Sequence, residues 1–110
     1  MPEAVIVEAV RTAIGKGSGK ERALKDWRSD DLLAHTLKEL VFNRTKIDPS
    51  QIDDVITGCV TQTSEQGLNI GRVAVLAAGL PAEIPGVSLN RQCGSGLQAA
   101  NFGWLESILF

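Results

Sequence analysis

The sequence predicts an α/β fold, in which a parallel or mixed sheet carries helices on its faces. Short apolar runs rich in β-branched residues, typical of buried strands, occur at residues 4–10, 54–60 and 87–89. Helical patterns follow these runs at about residues 29–44, 69–78 and 93–110. The order is strand, helix, strand, helix, strand, helix, and this alternation favours a sheet with crossover helices.

Helix boundaries follow from capping residues. Ser29 and the two aspartates after it place acceptors and negative charge where the first-turn N–H groups are unpaired. One face of this helix then carries Leu33, Leu37, Leu40 and Val41. Asp48 and Pro49 predict one short helical turn before the second strand. The helix that starts near Asn69 is expected to end at Gly79.

The last helix, from Cys93 to Phe110, is apolar on most of its sides and is therefore predicted to be buried between layers. A complete domain seldom stops inside such a helix, because its apolar sides need covering. Residues 1–110 are therefore expected to be an incomplete amino-terminal domain that ends inside the helix after Cys93.

Composition narrows the classes of function. The chain is 44% hydrophobic and 22% charged, with a net charge of −2 and scattered charges, so we expect no nucleic-acid partner. No apolar run approaches the roughly 20 residues that cross a bilayer, and the start lacks the pattern of a secretory leader. Two cysteines give neither a disulfide framework nor metal-ligand spacing. We expect a cytoplasmic protein without a metal ion or a membrane partner.

Reactive chemistry concentrates at residues 90–97, Asn-Arg-Gln-Cys-Gly-Ser-Gly-Leu, where a strand leads into a turn and a helix. A helix amino terminus lowers the pKa of a thiol placed there, and its unpaired N–H groups can receive an oxyanion. This pattern suits acyl transfer through an acyl-cysteine intermediate on Cys93. The alternative is an inert buried cysteine at a tight turn. The surrounding residues fit neither the papain nor the caspase cysteine pattern.

Other candidate residues have simpler interpretations. His35 lies about 200° around the helix from Leu33 and is predicted to be a solvated surface histidine. A hydrolase in which Cys93 works with His35 is therefore disfavoured, although it stays open. Cys59 is predicted to be a small packed residue. Asn69 and Arg72 are expected to serve as a helix cap and a dimer or surface contact rather than as an anion site.

Three blocks of the sequence carry a resemblance. The segment 90–99 is similar to the motif around the acyl-accepting cysteine of thiolases. Residues 5–15 resemble the first strand of that family and the Arg-Thr-x-Ile-Gly that follows it. Residues 58–62, with 66–67 and 69–72, resemble the second strand and the loop into the next helix. The blocks look more like degradative 3-ketoacyl-CoA thiolases than biosynthetic acetoacetyl-CoA ones.

The resemblance implies a thiolase-type fold and an acyltransferase. Cys93 would be the nucleophile that forms the acyl-thioester, and its backbone N–H would contribute to an oxyanion hole. The reaction would cleave a 3-ketoacyl-CoA with coenzyme A to acetyl-CoA and a shortened acyl-CoA, or run as the reverse Claisen condensation. Coenzyme A would be a co-substrate, with no resident cofactor, and the complete protein would be a homodimer or homotetramer.

The family also uses a histidine in a Gly-His-Pro segment and a second cysteine in a Cys-Gly-Gly segment, and this sequence has neither. The 110-residue chain alone is therefore expected not to turn over. In an alternative of another class, the chain is a truncated fragment that keeps dimer-forming surfaces and binds an intact thiolase.

Overall fold

The computed structural model describes residues 2–17 and 23–109. A π-helical segment, Glu39–Thr45, continues the first helix, and single 3₁₀ turns occur at Pro49–Gln51 and Ser64–Gln66. The longer elements, in chain order, are α1 (Ser29–Lys38), β1 (Val55–Gly58), α2 (Ile70–Ala77), β2 (Gly86–Leu89) and α3 (Ser95–Leu109).

The two strands form a parallel sheet whose register runs from Val55 opposite Gly86 to Gly58 opposite Leu89. Helix α2 is the crossover between them, as parallel strands require. Successive side chains of a strand point to opposite faces of the sheet. The Thr57 hydroxyl faces Gly71 of α2, whereas Ile56 and Gly58 face α3. Helices α2 and α3 therefore cover opposite faces, and the predicted α/β class is confirmed.

The hydrophobic core lies on the α2 side of the sheet, where α1 packs over α2. Its members are the buried side chains of Ala34, Val41, Ala74, Val75, Ala78, Leu80 and Ile84. Leu33 and Leu37 of α1 pack against this cluster. The apolar stripe predicted for the first helix therefore faces the core.

Both ends of α2 are fixed as the sequence predicts. At its start, the Asn69 side-chain oxygen accepts the Arg72 N–H at 3.4 Å. At its end, Gly79 has φ +75° and donates to the Leu76 carbonyl, while Leu80 donates to the Val75 carbonyl. This pair of hydrogen bonds is a Schellman motif, and its left-handed position suits glycine. The predicted turn at Asp48 is also confirmed, because its side chain accepts the Ser50 N–H.

A residue distant in sequence caps helix α1. The Glu65 carboxylate accepts the Ser29 N–H at 2.8 Å and the Ser29 hydroxyl at 2.6 Å. It thereby ties the loop before α2 to the start of α1. Next to it, Arg28 and Asp30 form a two-pronged ion pair with both contacts at 3.0 Å. Because the Arg28 side chain is largely exposed, this pair contributes little beyond orientation.

Two predictions differ from the structure. Residues 4–10 form no strand: Val5, Ile6 and Val7 are 74%, 90% and 77% exposed. A strand needs a hydrogen-bonded neighbour, and no described residue pairs with this segment. Second, the last helix is not buried between layers as predicted. Only Ser95 and Ala99 of α3 are buried, because the described chain covers α3 on its β1 side alone. No helix among the described residues has the length and apolar character to cross a bilayer.

The Glu65 cap predicts a pH dependence. The Ser29 hydroxyl, followed by the Ser29 N–H, holds the pKa of Glu65 below its ordinary value of 4.5. Because the folded pKa is lowered, this stabilisation is complete above the ordinary pKa and is lost as pH falls through the folded pKa. We therefore expect Glu65→Ala to lower the thermal midpoint at pH 7. The difference in thermal midpoint between the variant and the parent should narrow below a pH of about 4.5.

Glu83, an exposed carboxylate with no hydrogen bond to the described residues, provides the matched control. Glu83→Ala should leave the thermal midpoint unchanged across the same range. A constant gap between Glu65→Ala and the parent from pH 7 to pH 3 would contradict a cap that depends on the ionised carboxylate.

Candidate active site

Cys93 lies in a tight turn between β2 and α3. The Gly94 N–H donates to the Arg91 carbonyl at 2.7 Å, which closes the turn. Cys93 has φ +62°, a left-handed conformation that costs a non-glycine residue about 1 kcal/mol or more. Its thiol-bearing side chain is exposed. Among residues 2–17 and 23–109, no neighbour buries the Cys93 side chain.

The sequence predicts that the last helix begins at Cys93, but helix α3 begins two residues later, at Ser95. The Gly94 carbonyl accepts the first helical hydrogen bond, from the Gln98 N–H at 2.9 Å. The positive φ of Cys93 explains the difference, because a left-handed residue cannot continue a right-handed helix. Cys93 is thus the residue immediately before the helix cap.

The first turn of α3 differs from those of α1 and α2. Glu65 caps α1, and the Asn69 and Ser88 side chains accept N–H groups of α2. The residue before α3, Gly94, has no side chain that could accept a hydrogen bond. Among the described residues, none accepts the N–H of Cys93, Ser95, Gly96 or Leu97. A helix start with unpaired N–H groups, next to an exposed thiol, can receive an anionic oxygen.

The first turn of α3 rests directly on the backbone of β1. A Cβ at position 58 would overlap the Ser95 carbonyl group and the Gly96 nitrogen, so only glycine fits there. The adjoining residue, Cys59, donates its N–H to the Leu89 carbonyl at 2.9 Å, which extends the strand pairing toward the turn. Both arms of the Cys93 turn are therefore anchored to the same end of the sheet.

The other predicted residues are not brought to this turn. His35 is exposed on α1 and stacks obliquely on Trp27, with ring centroids 5.4 Å apart. The surface pocket beside His35 is lined by residues of the segments 10–13, 24–27 and 32–39, and not by Cys93. Cys59 is buried, and its thiol is placed to donate to Gln66 Oε1 at 3.5 Å. The packed role of Cys59 and the surface position of His35 are confirmed.

Asn69 and Arg72 are occupied by structural contacts. The Asn69 side chain also donates to the Gly86 carbonyl at 2.6 Å and accepts the Ser88 hydroxyl at 2.8 Å. The Arg72 guanidinium donates to the Ile84 carbonyl at 2.6 Å. The two residues tie α2 to β2 and to the connection before it. The predicted cap at Asn69 is confirmed, whereas the contact of Arg72 with the Ile84 carbonyl was not predicted. In residues 2–17 and 23–109, no three histidine, cysteine or acidic side chains are grouped to hold a metal ion.

Two residues of the site escaped sequence reasoning. Ser95 is buried, and its hydroxyl oxygen accepts the Arg91 N–H at 2.9 Å. The one available signal was a serine two residues after the cysteine, at a helix start where serine is common. Gly58 has only the signal of a glycine at the end of a strand, which indicates a close backbone approach.

The fold and this turn define a class: α/β proteins that carry a cysteine between a parallel strand and a helix. Comparison with known proteins identifies the family. A family model described as "Thiolase, N-terminal domain" matches residues 4–108. The chain therefore belongs to the thiolase family, and the resemblance seen in the sequence is confirmed.

Individual relatives agree with this assignment. The chain is 45% identical over 103 residues to a 3-ketoacyl-CoA thiolase of Vibrio vulnificus, covering 94% of this chain and 26% of the relative. It is 46% identical over 102 residues to the 3-oxoadipyl-CoA/3-oxo-5,6-dehydrosuberyl-CoA thiolase of Escherichia coli, covering 93% and 25%. The crystal structure of the Bacillus anthracis acetyl-CoA acetyltransferase superposes with a TM-score of 0.74 at 35% identity, covering 81% and 22%. The chain thus spans about a quarter of the length of these curated relatives.

The close approach at Gly58 predicts a sharp steric effect. Gly58→Ala in the full-length protein should lower the free energy of unfolding by about 1–3 kcal/mol, because the methyl group meets backbone atoms that cannot rotate away. Thermal or denaturant unfolding measures the loss. Gly96→Ala is the matched control, since a Cβ at Gly96 meets no atom within 4 Å. Equal effects of the two substitutions would contradict the role of Gly58.

Proposed function

We propose that this chain is the amino-terminal part of an acetyl-CoA acyltransferase, the full-length protein, which cleaves 3-ketoacyl-CoA with coenzyme A and uses Cys93 as its nucleophile. One observation carries the proposal: the exposed thiol of Cys93 precedes α3, which alone among α1, α2 and α3 has no described side chain that accepts an N–H of its first turn. Membership of the thiolase family and the names of the relatives, two of which are 3-ketoacyl-CoA or 3-oxoadipyl-CoA thiolases, supply the reaction class.

In the first half-reaction, the Cys93 thiolate attacks the 3-keto carbonyl carbon of the substrate. Negative charge develops on the carbonyl oxygen, and the unpaired N–H of Cys93 can donate to that oxygen. The bond between C2 and C3 then breaks, and its electron pair stays with the two-carbon fragment, which takes up a proton and leaves as acetyl-CoA. The shortened acyl group remains on Cys93 as a thioester.

In the second half-reaction, the thiol of free coenzyme A loses its proton and attacks the thioester carbonyl. The Cys93 thiolate leaves, and the shortened acyl-CoA is released. The reverse direction is a Claisen condensation on the same acyl-cysteine. The proton transfers need an acid and a base, and the family resemblance attributes these to Gly-His-Pro and Cys-Gly-Gly segments outside this sequence.

The rest of the proposal concerns setting and assembly. Coenzyme A is the co-substrate, no resident cofactor is required, and the reaction belongs to fatty acid metabolism in the cytoplasm. We propose a homodimer or homotetramer. Support comes from β2, whose edge away from β1 has no strand partner among the described residues. Such an edge can pair with a second copy of itself.

The proposal predicts a covalent intermediate on one cysteine. The full-length protein, incubated with acetoacetyl-CoA without free coenzyme A, should gain an acetyl group on Cys93 and release acetyl-CoA. Added coenzyme A should remove that group. Peptide mass spectrometry locates the adduct, and Cys93→Ala should lower kcat by about 10³-fold or more, because the nucleophile is lost.

Two control variants separate this reaction from its alternatives. The Cys59→Ala variant should still form the acyl-enzyme on Cys93 and should turn over like the parent, because Cys59 is buried and packed. His35→Ala should also leave turnover unchanged, whereas a Cys93–His35 hydrolase would lose it. An adduct on Cys59, or full turnover by Cys93→Ala, would refute the proposed role of Cys93.

A further inference from the structure

The hydroxyl of Ser95 is buried beside the exposed thiol turn. Ser95 is 6% exposed and is one of two buried polar residues in the described chain, together with Asp30. The Ser95 Oγ accepts the Arg91 N–H at 2.9 Å, across four residues of sequence. The bond joins the strand side of the turn to the first residue of α3.

Both backbone groups of Arg91 are thereby used to close the turn. Its carbonyl accepts the Gly94 N–H at 2.7 Å, and its N–H donates to Ser95 Oγ. Cys93 lies inside the ring that these two hydrogen bonds close.

The contact matters because Cys93 is left-handed, with φ +62°. For a non-glycine residue that conformation lowers the equilibrium population by about tenfold relative to ordinary conformations. One hydrogen bond of ordinary net strength raises the population of the closed turn by about fivefold. The two effects have similar size, so the loss of one bond is enough to shift the turn toward open conformations.

We propose that Ser95 is a positioning residue that holds Cys93 in its left-handed conformation by accepting the Arg91 N–H. Ser95 acts on the reaction through the turn and does not touch the substrate. It keeps the Cys93 thiol and the Cys93 N–H on the same side of the helix start, where both are needed at once. The proposal rests on the proposed acyl transfer at Cys93.

A packing role for Ser95 would behave differently. The backbone of Ser95 lies against Gly58, and alanine would preserve that contact, because only the hydroxyl is removed. A serine used for packing alone would therefore tolerate alanine without loss of turnover. A serine that holds the turn would not.

The experiment compares Ser95→Ala, Ser95→Thr and Ser107→Ala in the full-length protein. Ser107 is on the same helix, and its hydroxyl donates to the Gly103 carbonyl at 2.8 Å, so it controls for loss of a helical serine. Amide exchange of the segment 90–94 is followed by mass spectrometry, and kcat and KM are measured with acetoacetyl-CoA.

In the Ser95→Ala variant, the amide hydrogens of residues 90–94 should exchange about fivefold faster than in the parent. Its kcat should fall by about fivefold or more, with KM within about twofold of the parent value. Ser107→Ala should change neither quantity. Ser95→Thr retains the acceptor oxygen. If the hydrogen bond to the Arg91 N–H reforms, both the amide exchange rate of residues 90–94 and kcat should be near the parent values, and if it does not, both should change together.

The two readouts must move together for the proposal to stand. It is overturned if Ser95→Ala leaves both unchanged, if kcat falls while the segment stays protected, or if exchange rises without loss of kcat. Faster exchange along all of α3 would show a structural role and would also overturn it. A parent protein without turnover would remove the proposed function, and amide exchange alone would then decide whether Ser95 holds the turn.

Discussion

The contact between Gly58 and the first turn of α3 determines where Cys93 lies. At this point a helix meets the backbone of a strand with no side chain between them, because Gly58 has no Cβ. Strand β1 is also held in register with β2, whose last residue, Leu89, precedes Cys93 by four positions. The chain therefore leaves the sheet at Leu89 and returns to it at Ser95. The short path between these points forces a tight turn, and Cys93 lies within it.

The three helix starts show how the same fold treats backbone donors differently. Side chains of Glu65, Asn69 and Ser88 each accept an N–H group in the first turn of α1 or α2. At α3, Gly94 replaces a capping residue and leaves the donors available. With glycine at the cap position, a helix start loses only about a few tenths of a kcal/mol relative to one with a capping side chain. Among the three α-helices, that loss falls at the turn that carries the exposed thiol, where the proposed reaction would use unpaired donors.

Sequence reasoning found the local features and missed the distant ones. The end of α2 at Gly79 and the caps at Asp48 and Asn69 depend on residues within a few positions, and all were predicted. The contact between Glu65 and Ser29 joins residues 36 positions apart, and no local pattern predicts it. Residues 4–10 have the composition of a strand, but a strand also needs a partner, which composition does not supply. The predicted burial of α3 was wrong for the same reason, since burial depends on neighbouring elements as well as on apolar side chains.

The conformation of Cys93 also bears on its role. Glycine would adopt φ +62° without cost, so a turn selected for stability alone would favour glycine at position 93. A cysteine there also gains nothing from packing, because its side chain is exposed. Asn69, another left-handed residue, has a reason within the fold, because its side chain caps α2 and binds Ser88. Lys46, Ser64 and Leu68 are also left-handed, and Leu68 is 95% exposed, so φ alone does not single out Cys93. An exposed thiol in this conformation fits the proposed reaction because the thiol is accessible.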